Sequence, residues 1–224
     1  MLIGMTSTSL ANLTPAQQLR APRLTRRVVQ LVIGLALYGV SMALMIRSTL
    51  GQMPWDVLHF GLATHLPLSF GTIVIAVSVL VLLLWIPLRQ MPGLGTVLNA
   101  VLVGLATDAA LAVLVVPDGL PARVGLILAG VGLNAVATAA YIGAQLGPGP
   151  RDGLMTGLAR RTGWSLRVVR TGLEVSVVAL GWALGGVVGL GTVLYAIAIG
   201  PLTQALLPWL TVPLAASGAA AQDG

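Results

Sequence analysis

The hydrophobic pattern of this chain consists of long apolar runs separated by short segments rich in glycine, proline and arginine. Six runs reach about 20 residues, the length at which an α-helix crosses a hydrocarbon core of about 30 Å. The predicted spans are residues 28–46, 70–88, 94–116, 124–146, 168–188 and 192–212. The pattern therefore predicts an all-α membrane protein with six transmembrane helices.

The segment after the first run recurs after the fourth run, 96 residues later. Residues 50–63 read LGQMPWDVLHFGLA and residues 146–159 read LGPGPRDGLMTGLA, with eight of fourteen positions identical. The sequence GLGTVL occurs at 93–98 and again at 189–194, with the same offset. One offset shared by two separate motifs indicates an internal duplication. We call residues 50–68 and 146–166 the copied loops.

Each copy contains three predicted spans, and an odd number places the second copy upside down relative to the first. The sequence thus predicts one membrane domain, 28–212, built from two inverted three-helix repeats, 28–116 and 124–212. Secondary transporters are frequently built in this way, with the substrate site at the repeat interface. The copied loops are the first place to seek function.

Composition supports a membrane protein, because the chain is 57% hydrophobic and only 8% charged, whereas soluble proteins have about 25% charged residues. All twelve basic residues are arginine. The positive-inside rule then predicts that both termini are cytoplasmic, with Arg47 and Arg123 near the far side. The other ten lie on the cytoplasmic side: Arg20, Arg23, Arg26, Arg27, Arg89, Arg151, Arg160, Arg161, Arg167 and Arg170. The net charge of +6 thus indicates topology, and no nucleic-acid partner is expected.

The two ends of the chain are predicted to differ from the membrane domain. Residues 1–27 form a cytoplasmic, partly disordered leader that contains arginines, with a short helix opened by Thr14-Pro15. Residues 213–224 form a disordered cytoplasmic tail. The chain has no cysteine, which excludes disulfides.

Both copied loops carry a proline followed two residues later by an aspartate. Pro54 and Pro150 suit the first position of a helix, so that Asp56 and Asp152 fall in its first turn. Two readings follow. Either the aspartates only cap short interfacial helices, or these helices re-enter the membrane and direct their polar ends at a shared cavity. On the second reading Arg151, between Pro150 and Asp152, is a further candidate for substrate binding or gating.

Charged residues inside spans are costly and are therefore candidates for function. Asp108 lies deep in the third span, within reach of Arg47 at the outer end of the first. The two form either a structural ion pair or a gating or substrate site in which Asp108 binds a proton or ligand. Arg170 and Glu174, four residues apart in the fifth span, are predicted to form a structural ion pair.

Other chemistry is not expected from this sequence. His59 and His65 are six residues apart and lack companion ligands, so no metal site is predicted. The Gly-x-Gly pairs at 93–95 and 189–191 lack the strand and the lysine of a phosphate loop, and they favour close helix packing instead. No nucleophile–base arrangement appears, and neither enzymatic activity nor a cofactor is expected.

The motif at 146–158, with its partner at 50–56, resembles the YczE-type bacterial inner-membrane proteins, relatives of the YitT and YyaS groups. The similarity covers roughly residues 28–212. It implies a multi-pass protein of the bacterial plasma membrane. Because the family has no settled substrate or mechanism, the resemblance transfers no binding residues.

The sequence leaves two functions open, and it does not determine the oligomeric state. The first is a small secondary transporter or exporter of a small molecule; the second is a non-transporting accessory protein that assists a partner protein in the lipid bilayer. A polar cavity bounded by both copied loops would favour transport, whereas a solid core would favour the accessory role. A channel is disfavoured because no ring of repeated charges emerges from the copied loops beyond Asp56 and Asp152.

Overall fold

The chain folds into helices joined by short loops, as described by a computed structural model that covers residues 10 and 13–214. Within this described part there are nine helices and no strand. The helices are α1 Pro15–Arg20, α2 Leu24–Ser48, α3 Pro54–Ala63, α4 Phe70–Leu88, α5 Leu94–Val113, α6 Leu120–Gly143, α7 Pro150–Thr162, α8 Leu166–Ala183 and α9 Leu190–Leu210.

The duplication extends to every helix after α1. Helices α2 to α5 and helices α6 to α9 begin at positions that are 96 residues apart: 24 and 120, 54 and 150, 70 and 166, 94 and 190. The offset read from two short motifs therefore holds for four pairs of helix starts. Positions that differ by 96 are called equivalent below.

Among the described residues, five helices have the length and hydropathy to cross a membrane: α2, α4, α5, α6 and α9. They coincide with five of the six predicted spans, and α4 has the predicted bounds. The remaining prediction falls on α8, which has 18 residues and carries Arg167, Arg170 and Glu174. A crossing by α8 stays a prediction.

The leader folds onto the membrane domain through Arg27. Thr14 and Gln17 cap α1 reciprocally, which confirms the short helix predicted at Thr14-Pro15. Helix α2 begins at Leu24, four residues before the predicted span, and Arg27 is fully buried. Its guanidinium donates to the carbonyls of Ala144 at 2.8 Å and of Gln18 and Gln145 at 2.6 Å. These three carbonyl acceptors offset the cost of burying the Arg27 charge inside the protein. The predictions for residues 1–9, 11–12 and 215–224 lie outside the described part of the chain.

Helices α2 and α6 form the centre of the fold and run antiparallel. Arg27, near the start of α2, contacts Ala144 just after α6, and Arg123, near the start of α6, reaches the Thr49 hydroxyl just after α2 at 3.2 Å. Arg27 and Arg123 are equivalent positions. Between the ends, the α2 and α6 backbones approach closely at Gly34, where an added Cβ would lie 3.0 Å from the Tyr141 nitrogen. Helix α5 packs on α2 and α9 packs on α6.

The short helices α3 and α7 each pack against a helix of the other copy. The end of α3 contacts the end of α8, where the Thr64 hydroxyl donates to the Leu184 carbonyl at 3.0 Å. The end of α7 contacts the end of α4, where Arg161 donates to the Pro87 carbonyl at 2.9 Å. Their first turns, in contrast, face each other at Trp55 and Arg151. Both short helices therefore start at a common central point and run away from it.

Candidate functional site

The copied loops are held in place by the Gly-x-Gly pairs of the opposite copy. The Leu50 carbonyl accepts from the Gly191 nitrogen at 2.9 Å, and the equivalent Leu146 carbonyl accepts from the Gly95 nitrogen at 2.7 Å. Gly51 and Gly147 have φ values of +124° and +114°, a region that glycine adopts readily. The glycine pairs thus permit close packing, as predicted, but between a loop and a helix start rather than between two helices.

The copied loops end in helix starts of the predicted kind. Pro54 and Pro150 occupy the first position of α3 and α7, and Asp56 and Asp152 lie in the first turn. The carboxylates, however, hydrogen-bond to other side chains rather than to the free backbone amides of that turn. Asp56 accepts from His59 Nδ1 at 3.1 Å, and Asp152 accepts from the Tyr141 hydroxyl at 2.5 Å. The aspartates therefore belong to a side-chain network at the meeting point of two helices.

Arg151 lies between the two helix starts. Its Cζ atom is 5.1 Å from the centroid of the Trp55 ring, within the range of a cation–π interaction. Its Nη2 atom is 3.9 Å from Asp56 Oδ1, a distance too long for a hydrogen bond. Trp55 and Arg151 are equivalent positions, so one copied loop contacts the other through the same position in each.

A cavity of about 210 Å³ lies beside this contact. All three tyrosines of the chain line it, together with side chains of both copied loops and of α8 and α9. The lining comprises Tyr38, Met53, Pro54, Trp55, Thr138, Tyr141, Ile142, Arg151, Asp152, Met155, Arg170, Glu174, Tyr195, Ile199, Gly200, Thr203 and Gln204. We call this space the central cavity. It is bounded by both copied loops, and four charged side chains, Arg151, Asp152, Arg170 and Glu174, lie on its wall.

Arg170 and Glu174 form the predicted ion pair, with Arg170 Nε 2.9 Å from Glu174 Oε1. The pair lies on the wall of the central cavity. The Arg170 side chain is 48% exposed. Its position gives it access to any molecule in the cavity.

Asp108 and Arg47 do not form the ion pair that was one of the two predictions for them. The Gly71 nitrogen donates to Asp108 Oδ1 at 2.7 Å and the Ser69 hydroxyl donates to Oδ2 at 2.5 Å, so Asp108 caps the start of α4. Arg47 donates to the Leu111 carbonyl at 2.5 Å, in the last turn of α5, where cations are stabilised by the helix dipole. Each side chain is thus bound to a helix end, away from the central cavity. A proton- or ligand-binding role for Asp108 stays a prediction.

Sequence reasoning missed four side chains at this site: His59, Tyr38, Tyr141 and Tyr195. His59 is fully buried and its spacing of three from Asp56 was a readable signal, because such residues are neighbours on a helix. The Tyr195 hydroxyl donates to Asn134 Oδ1 at 3.0 Å. The equivalents of this Asn–Tyr pair are Tyr38 and Asn99, so the two residue types are exchanged between the copies. This exchange was visible in the aligned sequence.

The fold and the site define an all-helical, multi-pass membrane protein with a cavity at the meeting point of two short helices. The chain belongs to the YczE-type family of membrane proteins, because residues 25–208 match the model of the family of unknown function DUF6198 and two relatives agree over most of their length. The resemblance read from the copied loops is confirmed.

Both relatives cover the membrane domain. An uncharacterized protein of Haemophilus influenzae is 42% identical over 177 residues, which is 79% of this chain and 81% of the relative. The uncharacterized membrane protein YczE of Bacillus subtilis is 33% identical over 172 residues, 76% of this chain and 80% of the relative. No solved structure matches the chain.

Proposed function

We propose that this protein is a small secondary transporter or exporter of a small molecule, located in the bacterial plasma membrane, and not an enzyme. The observation that carries the proposal is the central cavity, whose wall includes Pro54 and Trp55 of one copied loop and Arg151 and Asp152 of the other. Two helix starts with charged first turns meet at this wall. Transporters bind substrates at such interrupted helices near the membrane centre.

The proposed architecture is six spans in two inverted repeats. The antiparallel arrangement of α2 and α6 supports inversion, because equivalent arginines contact opposite ends of the fold. With 10 and 13 residues, α3 and α7 are about 15 and 20 Å long at 1.5 Å per residue. Placed start to start, they have about the thickness of the hydrocarbon core. We therefore propose that both are re-entrant half-helices.

Helix α8 completes the sixth span in this proposal. Two of its three charged residues, Arg170 and Glu174, pair with each other and line the central cavity, which lowers the cost of placing them in the membrane. Arg167 lies in the first turn of the helix and extends toward the head groups. The charges that lower the hydropathy of α8 are thus compatible with a crossing.

The proposed orientation places both termini in the cytoplasm, and single cysteines in this cysteine-free chain test it. Asp118 and Arg160 are both exposed and are predicted to lie on opposite sides. We expect an impermeant maleimide added to intact cells to label Asp118→Cys and to label Arg160→Cys only after lysis. Labelling of Arg160→Cys in intact cells would show that the orientation is wrong.

Transport is tested with purified protein in proteoliposomes, by counterflow of labelled organic anions and organic cations. Liposomes without protein are the blank. We expect the wild type to exchange at least one of these classes and Arg151→Gln to lose that exchange. Arg160→Gln, an exposed arginine on the same helix, is the matched control and should retain it. A wild type that exchanges neither class would count against transport.

The second candidate is the non-transporting accessory protein. The observation in its favour is the surface of α8, where Arg167 and Trp182 are both exposed and offer charge and apolar area to a partner protein. Co-purification of one defined partner, together with absence of exchange in proteoliposomes, would support this function instead.

A further inference from the structure

The two copies differ in how their last two helices are joined. In the first copy, α4 and α5 are fastened by Asp108, which binds Ser69 and Gly71 at the start of α4. Gly71 and Gly104 pack backbone against backbone beside it, since a Cβ at either position would overlap the carbonyl oxygen of the other. We call this arrangement the α4/α5 clasp.

The equivalent clasp is missing between α8 and α9. The positions of Gly71, Gly104 and Asp108 correspond to Arg167, Gly200 and Gln204. Arginine cannot approach a neighbouring backbone as closely as glycine, and a Cβ at Gly200 would meet no atom within 4 Å. Helices α8 and α9 accordingly make almost no backbone contact, whereas α4 packs along α5.

The gap between α8 and α9 is a groove of about 860 Å³ that lies beside the central cavity. Its walls are mostly apolar and open to the outside; Val175 and Ile197 on the facing helices are 62% and 69% exposed. Pro54 and Glu174 line both the groove and the central cavity. The groove is therefore a side opening, at the surface that faces lipid in the proposed membrane arrangement, whose inner end lies at the wall of the central cavity.

The polar groups at the inner end of this opening favour an anion. Each carboxylate on the cavity wall has a partner, since Asp152 accepts from Tyr141 and Glu174 from Arg170. Arg151, in contrast, stacks on Trp55 and approaches Asp56 only to 3.9 Å, so its guanidinium has no hydrogen-bond acceptor in the described chain. Trp55 is 7% exposed, and its Nε1–H has no hydrogen-bond partner in the described chain. Two side-chain donors at this wall thus lack a hydrogen-bond acceptor within the described chain.

We propose that the central cavity is entered sideways from the bilayer between α8 and α9, and that it binds the anionic head group of an amphipathic molecule. The head group lies against Arg151 and Trp55, and the apolar chain lies in the groove along Val175 and Ile197. The inference rests on the proposed function only for the transport of the bound molecule. Its entry and binding can be measured separately from transport. The missing clasp is what leaves this path open in one copy and closed in the other.

The experiment uses the full chain in phosphatidylcholine nanodiscs and a pair of single cysteines at equivalent positions. Thr203 lines the central cavity, and the equivalent Thr107 is fully buried against α2. The rate of reaction of Thr203→Cys with N-ethylmaleimide is measured with dodecyl phosphate, with dodecyltrimethylammonium and with inorganic phosphate. At ten times its dissociation constant, dodecyl phosphate should slow the reaction about ten-fold, and the other two probes should not. Thr107→Cys should react slowly and without dependence on any probe.

Two further variants separate the head group from the opening. In the Thr203→Cys background, Arg151→Gln should abolish protection by dodecyl phosphate without closing the groove. The double change Arg167→Gly and Gln204→Asp copies the clasp into the second copy, and it should slow the maleimide reaction itself. The second variant does not alter Arg151, so it remains informative if Arg151→Gln fails to fold.

Three outcomes would overturn the inference. Equal protection by the two dodecyl compounds would indicate surrounding lipid only. Equal protection by inorganic phosphate would indicate an anion site reached from water, without an amphipathic ligand. A Thr203→Cys protein as unreactive as Thr107→Cys would show that the opening is closed. Protection by dodecyl phosphate with no exchange in proteoliposomes would leave this site intact and reject the transport proposal alone.

Discussion

Arg27→Ala is expected to destabilise the protein more than any other single arginine substitution. The guanidinium is fully buried and donates to three backbone carbonyls, those of Gln18, Ala144 and Gln145. A hydrogen bond to a charged group contributes about 1.5–3 kcal/mol, so the loss should exceed about 3 kcal/mol. The measurement is the free energy of unfolding in mixed micelles, from an SDS titration followed by circular dichroism.

Two other arginines serve as controls for Arg27. Arg123 is its equivalent, is half-buried and makes two hydrogen bonds, so Arg123→Ala should cost about 1 kcal/mol. Arg26 is exposed, and its replacement should leave the unfolding midpoint unchanged. If Arg27→Ala unfolds at the same SDS concentration as Arg26→Ala, the buried contact between the leader and α6 is not formed.

Adding one methyl group at equivalent glycines should have effects of opposite sign. At Gly104 the new Cβ would overlap the Gly71 carbonyl oxygen and crowd Ile75, so α4 and α5 must separate. Gly104→Ala should therefore cost about 3 kcal/mol, as overpacked cores do. At Gly200 no atom lies within 4 Å of the new Cβ, and Gly200→Ala should stabilise α9 by up to about 1 kcal/mol.

The glycine pair is measured by the same SDS titration. Both changes are Gly→Ala in helices at equivalent positions, so a difference in sign reports mainly on helix packing. Similar destabilisation by both substitutions would contradict an open groove between α8 and α9. Stabilisation by both would contradict the α4/α5 clasp.

The helices were predictable from sequence because their ends are marked locally. Helix α4 begins after Ser69, whose hydroxyl accepts from the Thr72 nitrogen, and it ends before Arg89 in the left-handed region. The start of α2 was predicted four residues late, because burial of Arg27 depends on carbonyls more than 100 residues away. No local pattern contains that contact.

The central cavity was only partly predictable. The duplication pointed to Asp56, Asp152 and Arg151, since repeated loops carry their own signal. The positive-inside rule, however, used Arg27 and Arg151 as markers of orientation. In the structure Arg27 joins the leader to the end of α6, and Arg151 lies on the cavity wall. The tyrosines were missed because an aromatic residue in an apolar run gives no indication of the side that it faces.

The contact between Trp55 and Arg151 bears on how such a duplicated chain evolves. When two identical subunits touch through the same position, that position carries one residue type twice. Two arginines there would repel each other, and two tryptophans would supply no charge. Joining both copies in one chain removes this restriction, because each position then mutates independently. An arginine stacked on a tryptophan at the junction is therefore possible in one duplicated chain. A homodimer of two identical half-length chains could not place these two residue types at the same position.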